Sequence, residues 1–132
     1  MIEVAACWLP LPPTSNNSYV NAAGQGRVKS KALRAWQDEA GWTWKATGRM
    51  PEHALDTRQT WGWSGAFWFP TPARADLDNH SKHVADLIVA VVFGGKPDDR
   101  YLIWQEHRKK VSATCPGVLV RVYEVDRGEL DA

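Results

Sequence analysis

Between Gln59 and Phe69 the chain places Trp61, Trp63, Phe67 and Phe69 on one side of a period-two pattern, and Pro70 and Pro72 close the run. That is a β-strand with a heavy aromatic face. Leu33, Trp36, Ala40 and Trp44 recur every three or four residues and predict a helix from about Ser30 to Thr47, with Gly48 as its stop. Leu77, Val84, Leu87, Ile88 and Val91 make the stripe of a second helix from about Leu77 to Val92. Residues 2–9 alternate Ile2, Val4, Ala6 and Trp8 and predict a first strand, ended by Pro10, Pro12 and Pro13. A loop containing Gly24 and Gly26 leads into the first helix. Tyr101 to Val111 and Val118 to Val125 predict two last strands, and the short link at Pro116-Gly117 favours an antiparallel hairpin. The expected fold is α/β in the α+β sense: one small domain over residues 1–132, with a mixed four-stranded sheet and two main helices in the order β-α-β-α-β-β.

A chain of 132 residues has room for one real core, and no linker is long enough to separate two. No apolar run approaches the roughly 18 residues of a membrane span. The first residues, Met1-Ile2-Glu3-Val4, lack the basic and apolar regions of a signal peptide. Cys7 and Cys115 are the only cysteines and read as two reduced, buried thiols of a cytoplasmic protein. The acidic tail, at about 126–132, is a candidate for disorder.

Net charge is only +1, but it is unevenly spread. Residues 27–49 carry +4, through Arg27, Lys29, Lys31, Arg34, Lys45 and Arg49 against Asp38 and Glu39. Residues 100–110 carry +3, through Arg100, Arg108, Lys109 and Lys110 against Glu106. The last nine residues carry −3. Two basic regions around an acidic notch suit a polyanion that is both bound and cut.

The notch is the segment Arg74-Ala75-Asp76-Leu77-Asp78-Asn79-His80-Ser81-Lys82, at the predicted start of the second helix. A second acidic pair, Asp98-Asp99, follows just past Gly94-Gly95. A helix cap accounts for one carboxylate, and Asp78 can serve as that cap, but the set is larger than a cap needs. Carboxylates concentrated in this way are tolerated when a hard cation neutralises them, and Mg²⁺ takes oxygen ligands together with substrate phosphate. Metal-dependent attack on a phosphodiester is the chemistry this pattern points to. Asp78, Lys82 and Asp86 share a helical stripe and form a polar face able to line a cleft.

Other chemistries fit less well. His80 and His83 lack further ligands of the right spacing for zinc and read as surface histidines. Gly94-Gly95-Lys96 lacks the glycine spacing and the Ser/Thr of a phosphate loop, which argues against a nucleotide cofactor. Ser81 has no positioned base in sequence. Eight tryptophans invite base stacking, yet Trp36, Trp44, Trp61 and Trp63 all lie on predicted core stripes. Trp104, beside Arg108-Lys109-Lys110, has no clear assignment.

Three motifs in order make the chain resemble the RusA family of Holliday junction resolvases, common in bacteria and their prophages. They are Leu11-Pro12-Pro13-Thr14-Ser15-Asn16-Asn17-Ser18-Tyr19 after the first strand, Asp76-Leu77-Asp78-Asn79 with Lys82 behind it, and Asp98-Asp99. The resemblance covers most of the length. It implies a homodimeric endonuclease, encoded by a bacterium or phage and acting in the cytoplasm, that nicks four-way DNA junctions with Mg²⁺, for which Mn²⁺ can substitute. By position it implies that Asp76, Asp78 and Asp99 are the catalytic, metal-binding carboxylates and that Lys82 is an essential lysine. Family members can be richly basic before the first Asp; here Arg74 stands alone in that role. Together with Lys31, Arg34, Arg108, Lys109 and Lys110 it makes up the expected DNA-binding set. A nuclease for other branched or flapped DNA, or a junction-binding protein without the chemistry, would share these residues.

Overall fold

The computed structural model describes the chain except for residues 15–18, 25, 54, 57, 73–77, 95–100 and 131–132, and describes only the backbone of Asp78 and Asn79. The elements are β1 (Ile2–Leu9), β2 (Tyr19–Ala22), β3 (Gly26–Lys29), α1 (Lys31–Thr47), β4 (Trp61–Phe69), α2 (Asp78–Val91), β5 (Leu102–Val111), β6 (Gly117–Glu124) and the single-turn α3 (Arg127–Leu130). Four strands form a mixed sheet in the order β1-β6-β4-β5. β6 runs antiparallel to both β1 and β4, whereas β4 and β5 are parallel. The β4–α2–β5 passage is thus the crossover that a parallel pair requires.

Both helices cover one face of this sheet. That face receives Trp61, Trp63, Phe67 and Phe69 from β4 and Val118, Val120 and Val122 from β6, all buried. Leu33, Trp36, Ala40 and Trp44 of α1 and Val84, Leu87 and Ile88 of α2 close the same core. α1 begins where Ser30 caps it: the Ser30 hydroxyl accepts the Leu33 amide hydrogen at 3.1 Å. It is locked at both ends by its own tryptophans. The Trp36 indole donates to the Pro10 carbonyl at 2.9 Å, and the Trp44 indole to the Arg49 carbonyl at 3.2 Å. A large ring can be buried here because its one polar group finds a backbone acceptor.

Several sequence expectations are corrected. β5 and β6 are not a hairpin, because β4 lies between them. β6 carries Val118, Val120 and Val122, each 0% exposed, and takes an interior position where both its edges are paired. β5 carries Glu106, Arg108, Lys109 and Lys110 and takes the edge, where charged side chains keep their water. β1 faces the other way from the expected phase. Its buried residues are Ala5, Cys7 and Leu9, while Ile2 is 66% and Trp8 40% exposed. A pairing irregularity between Glu3 and Ala5 resets the alternation. The loop before α1 contains a two-stranded ribbon, β2–β3, whose turn uses Gly24 and Gly26 at φ 75° and 70°. Cys7 is buried as expected, and burial raises its thiol pKa, but Cys115 is exposed in the β5–β6 connection.

Candidate active site

α2 descends from one end of β4 to the other. At its start, the His80 ring meets Phe69, the last residue of β4, at 5.0 Å. Past its end, Phe93 meets Trp61, the first residue of β4, at 5.0 Å. The start of α2 therefore lies at the Phe69 end of the sheet. Asp78 is the first residue of α2, where free backbone amides and the helix dipole favour negative charge. Lys82 follows one turn later and is exposed. Asp76, Asp98, Asp99 and Arg74 lie outside the described residues, as does the side chain of Asp78.

The basic residues predicted to hold DNA come to this same end. Val111 pairs with Phe69 and Lys110 with Trp68, so Arg108-Lys109-Lys110 sits beside the last residues of β4. The Trp36–Pro10 bond places the first half of α1, with exposed Lys31 and Arg34, at the end of β1, and Leu9 reaches the same sheet end through Val118 and Phe67. Two basic groups from distant parts of the chain thus flank the start of α2.

β5, which follows Asp98-Asp99 in the chain, starts elsewhere: Leu102 pairs with Trp61 at the opposite end of β4. A helix of 14 residues separates the two ends, which is roughly 20 Å at 1.5 Å per residue. Among the described residues, the starts of α2 and β5, the elements that follow the two acidic segments, lie at opposite ends of the sheet.

The histidines of α2 correct a further expectation, since neither is on the surface. His80 is 6% and His83 1% exposed. His83 packs against the Tyr19 ring of β2 at 6.3 Å, and Arg27 of β3 lies over that ring at 5.3 Å. Burial lowers the pKa of His83; Asp86 opposes the shift, and Lys82, His80 and Lys29 add to it. The β2–β3 ribbon is thereby docked on the helix that carries Lys82. Sequence reading missed this ribbon, although Gly24-x-Gly26 between Tyr19–Ala22 and Val28-Lys29 was its signal.

No helix among the described residues is long and apolar enough to cross a membrane. No curated protein matches the sequence as a relative. The family model of the endodeoxyribonuclease RusA matches residues 10–123, a span that runs from the end of β1 into β6 and contains α1, α2 and all three motifs. Enzymes of this family are generally dependent on a divalent metal. The chain belongs to the RusA family, and it is a DNA-cleaving hydrolase of the kind that resolves Holliday junctions.

Proposed function

We propose that this protein resolves four-way DNA junctions by paired, symmetric, Mg²⁺-dependent nicks, as a homodimer of single-domain subunits in the cytoplasm of a bacterium or of a phage-infected cell. The observation that carries the reading is the convergence of the α2 start, the basic first turn of α1 and the basic end of β5 at one end of the sheet.

Asp76, Asp78 and Asp99 are three hard oxygen donors, a set that fits Mg²⁺ and accepts Mn²⁺. Bound there, the cation would activate a water molecule and neutralise the non-bridging phosphate oxygens. Lys82, exposed one turn into α2, directs its ammonium at the same phosphate and stabilises charge that grows in the transition state. Lys31, Arg34, Arg74, Arg108, Lys109 and Lys110 hold the DNA backbone on either side.

The dimer has two physical reasons. A four-way junction is approximately two-fold symmetric, and an isologous dimer offers identical sites to two symmetry-related strands. The elements that follow the acidic segments, α2 and β5, also start at opposite ends of one sheet, so a partner laid with its β5 start against this α2 start would bring one subunit's Asp99 toward the other subunit's Asp76 and Asp78. The decisive assay compares purified protein on a four-way junction, a duplex and a flap, with and without Mg²⁺. Paired nicks confined to the junction with metal present support the reading. Equal cutting of the flap would make it a nuclease of broader branched specificity, and binding without cutting would leave a junction-binding protein.

A further inference from the structure

We infer that the face of the main sheet opposite α1 and α2 is a binding platform for an unpaired DNA strand. The inference rests on the reading of the chain as a DNA-cutting enzyme and shares Arg108 and Lys110 with the proposed DNA-holding set; its aromatic residues lie outside that set.

Side chains on this face form rows set by strand register. Trp104 of β5 and Tyr123 of β6 both pair with Gly62 of β4. Their rings meet edge to face at 5.6 Å. A Cβ on Gly62 would fall 2.7 Å from the Trp104 carbonyl oxygen and 2.8 Å from its ring, so glycine is what lets the indole lie down on the sheet. The next row is Glu106, Ser64 and Arg121, and the next is Arg108, Ala66, Leu119 and Trp8. The last is Lys110, Trp68 and Gly117. Trp8 lies across Gly117 so closely that a Cβ there would overlap the ring. Its ring centroid is 5.3 Å from that of Trp68, and the Lys110 ammonium sits 5.6 Å over Trp68.

Two aromatic ends thus bracket a shallow depression whose lining comes only from β4, β5 and β6. Between them stand Arg108 and Arg121, with side chains 69% and 46% exposed. Their partners are Glu106 for Arg108, at 3.1 Å, and Glu3 for Arg121, at 2.9 Å; Glu3 also holds Arg49. Exposed pairs of this kind are weak enough to be exchanged for phosphate.

Trp8 is 40% exposed and Trp104 is partly exposed, and stacking on an accessible ring is open to any unpaired base. Cations between the rings suit the backbone that joins those bases. The two ends are six residues apart on β4, roughly 20 Å, within the reach of a strand of several nucleotides. The buried centre of a protein–protein interface is instead depleted of charge, whereas Arg108, Arg121 and Glu106 occupy the middle of this face. The platform also continues the active-site end. Phe69 touches His80 at the start of α2, and Trp68, one residue earlier, points to the open face. A strand leaving the α2 start rounds the sheet end directly onto Trp68 and Lys110.

The test is a fluorescence titration with a twelve-nucleotide oligothymidylate and with a duplex of the same length, in metal-free buffer so that no strand is cut. Wild type should bind the single strand with quenching of tryptophan emission. Trp104→Ala, and separately the double variant Arg108→Ala/Lys110→Ala, should weaken that binding about tenfold or more, and Trp104→Phe should restore most of it. The Arg108 and Lys110 side chains are exposed, so the double variant keeps the test valid if Trp104→Ala does not fold. Single-strand affinity unchanged in a folded double variant overturns the inference. So does a variant that becomes monomeric by light scattering while binding the oligonucleotide as before, since the face would then belong to a second copy. Loss of junction cutting with single-strand binding intact would instead count against the proposed catalytic reading and leave the platform standing.

Discussion

On the helix-covered face of the sheet, Trp61 and Trp63 are 2% and 0% exposed and serve the core. On the opposite face, Trp8 is 40% exposed and rests on Gly117, and Trp104 rests on Gly62. The same residue type meets two fates, decided by what lies above it. Under α1 and α2 an indole removes apolar surface from water. With no helix above, it offers a flat ring beside Arg108, Arg121 and Lys110, where the same area can act on a ligand. α2 sits on the covered side because its apolar stripe needs the sheet, while its polar stripe leaves Lys82 exposed. The covered side supplies stability and carries the proposed site, and the open side is where the inferred strand contact would lie.

The largest effect expected is on cutting. Asp76→Asn, Asp78→Asn or Asp99→Asn should each reduce nicking to background while leaving junction binding equal or tighter, because repulsion of phosphate falls. Mixing Asp76→Asn with Asp99→Asn protein sharpens this. If one site draws on both subunits, a mixed dimer contains one intact site and should make single rather than paired nicks. If each subunit holds its own site, the mixture should stay inactive. An Asp76→Asn enzyme that cuts normally would remove the metal site from the start of α2.

Next comes the contrast between the faces in stability. Trp63→Ala, in the covered core, should cost about 3–5 kcal/mol by denaturant unfolding. Lys110→Ala on the open face should stay within about 0.5 kcal/mol. Comparable losses at both positions would mean that the open face is packed against something in solution.

Lys82 and His83 are neighbours in sequence and differ in surroundings, which sets the two smaller effects. Lys82→Ala should lower nicking at least tenfold, about 1.4 kcal/mol in the barrier. Its melting temperature should barely change, as an exposed ion pair contributes at most about 1 kcal/mol. A large melting shift with normal turnover would make Lys82 a structural residue. His83 acts on stability alone. Burial lowers its folded pKa, so the unfolded chain takes up the proton first. Its contribution is complete above the ordinary histidine value of roughly 6.5 and is lost as pH falls through the lowered folded value. Melting temperature should decline on acidification over that window, and less steeply in His83→Gln. Equal slopes in the two proteins would show that other groups carry the acid sensitivity.

What could be read from the sequence was what depends on neighbours along the chain. The helical stripes of α1 and α2, the capping serine and the aromatic period of β4 are local patterns, and a residue three or four positions away is close in space whatever the fold. The three motifs, too, are contiguous strings, which is why the family and the proposed carboxylates were legible. Only the tertiary structure decided who lies beside whom across the sheet. β6 entered between β1 and β4 because three fully buried valines need covered neighbours, and the charged β5 was left at the edge. That order set Trp104 and Tyr123 across Gly62, brought Lys110 to Trp68, and put the starts of α2 and β5 at opposite ends of β4. A one-residue change of phase in β1 turned Trp8 outward and Cys7 inward, and the Glu3–Ala5 irregularity that causes it has no mark in the local alternation. Periodicity tells which residues share a face of an element; which face is covered depends on the order of strands and the path of helices, and those follow from burial summed over the whole chain.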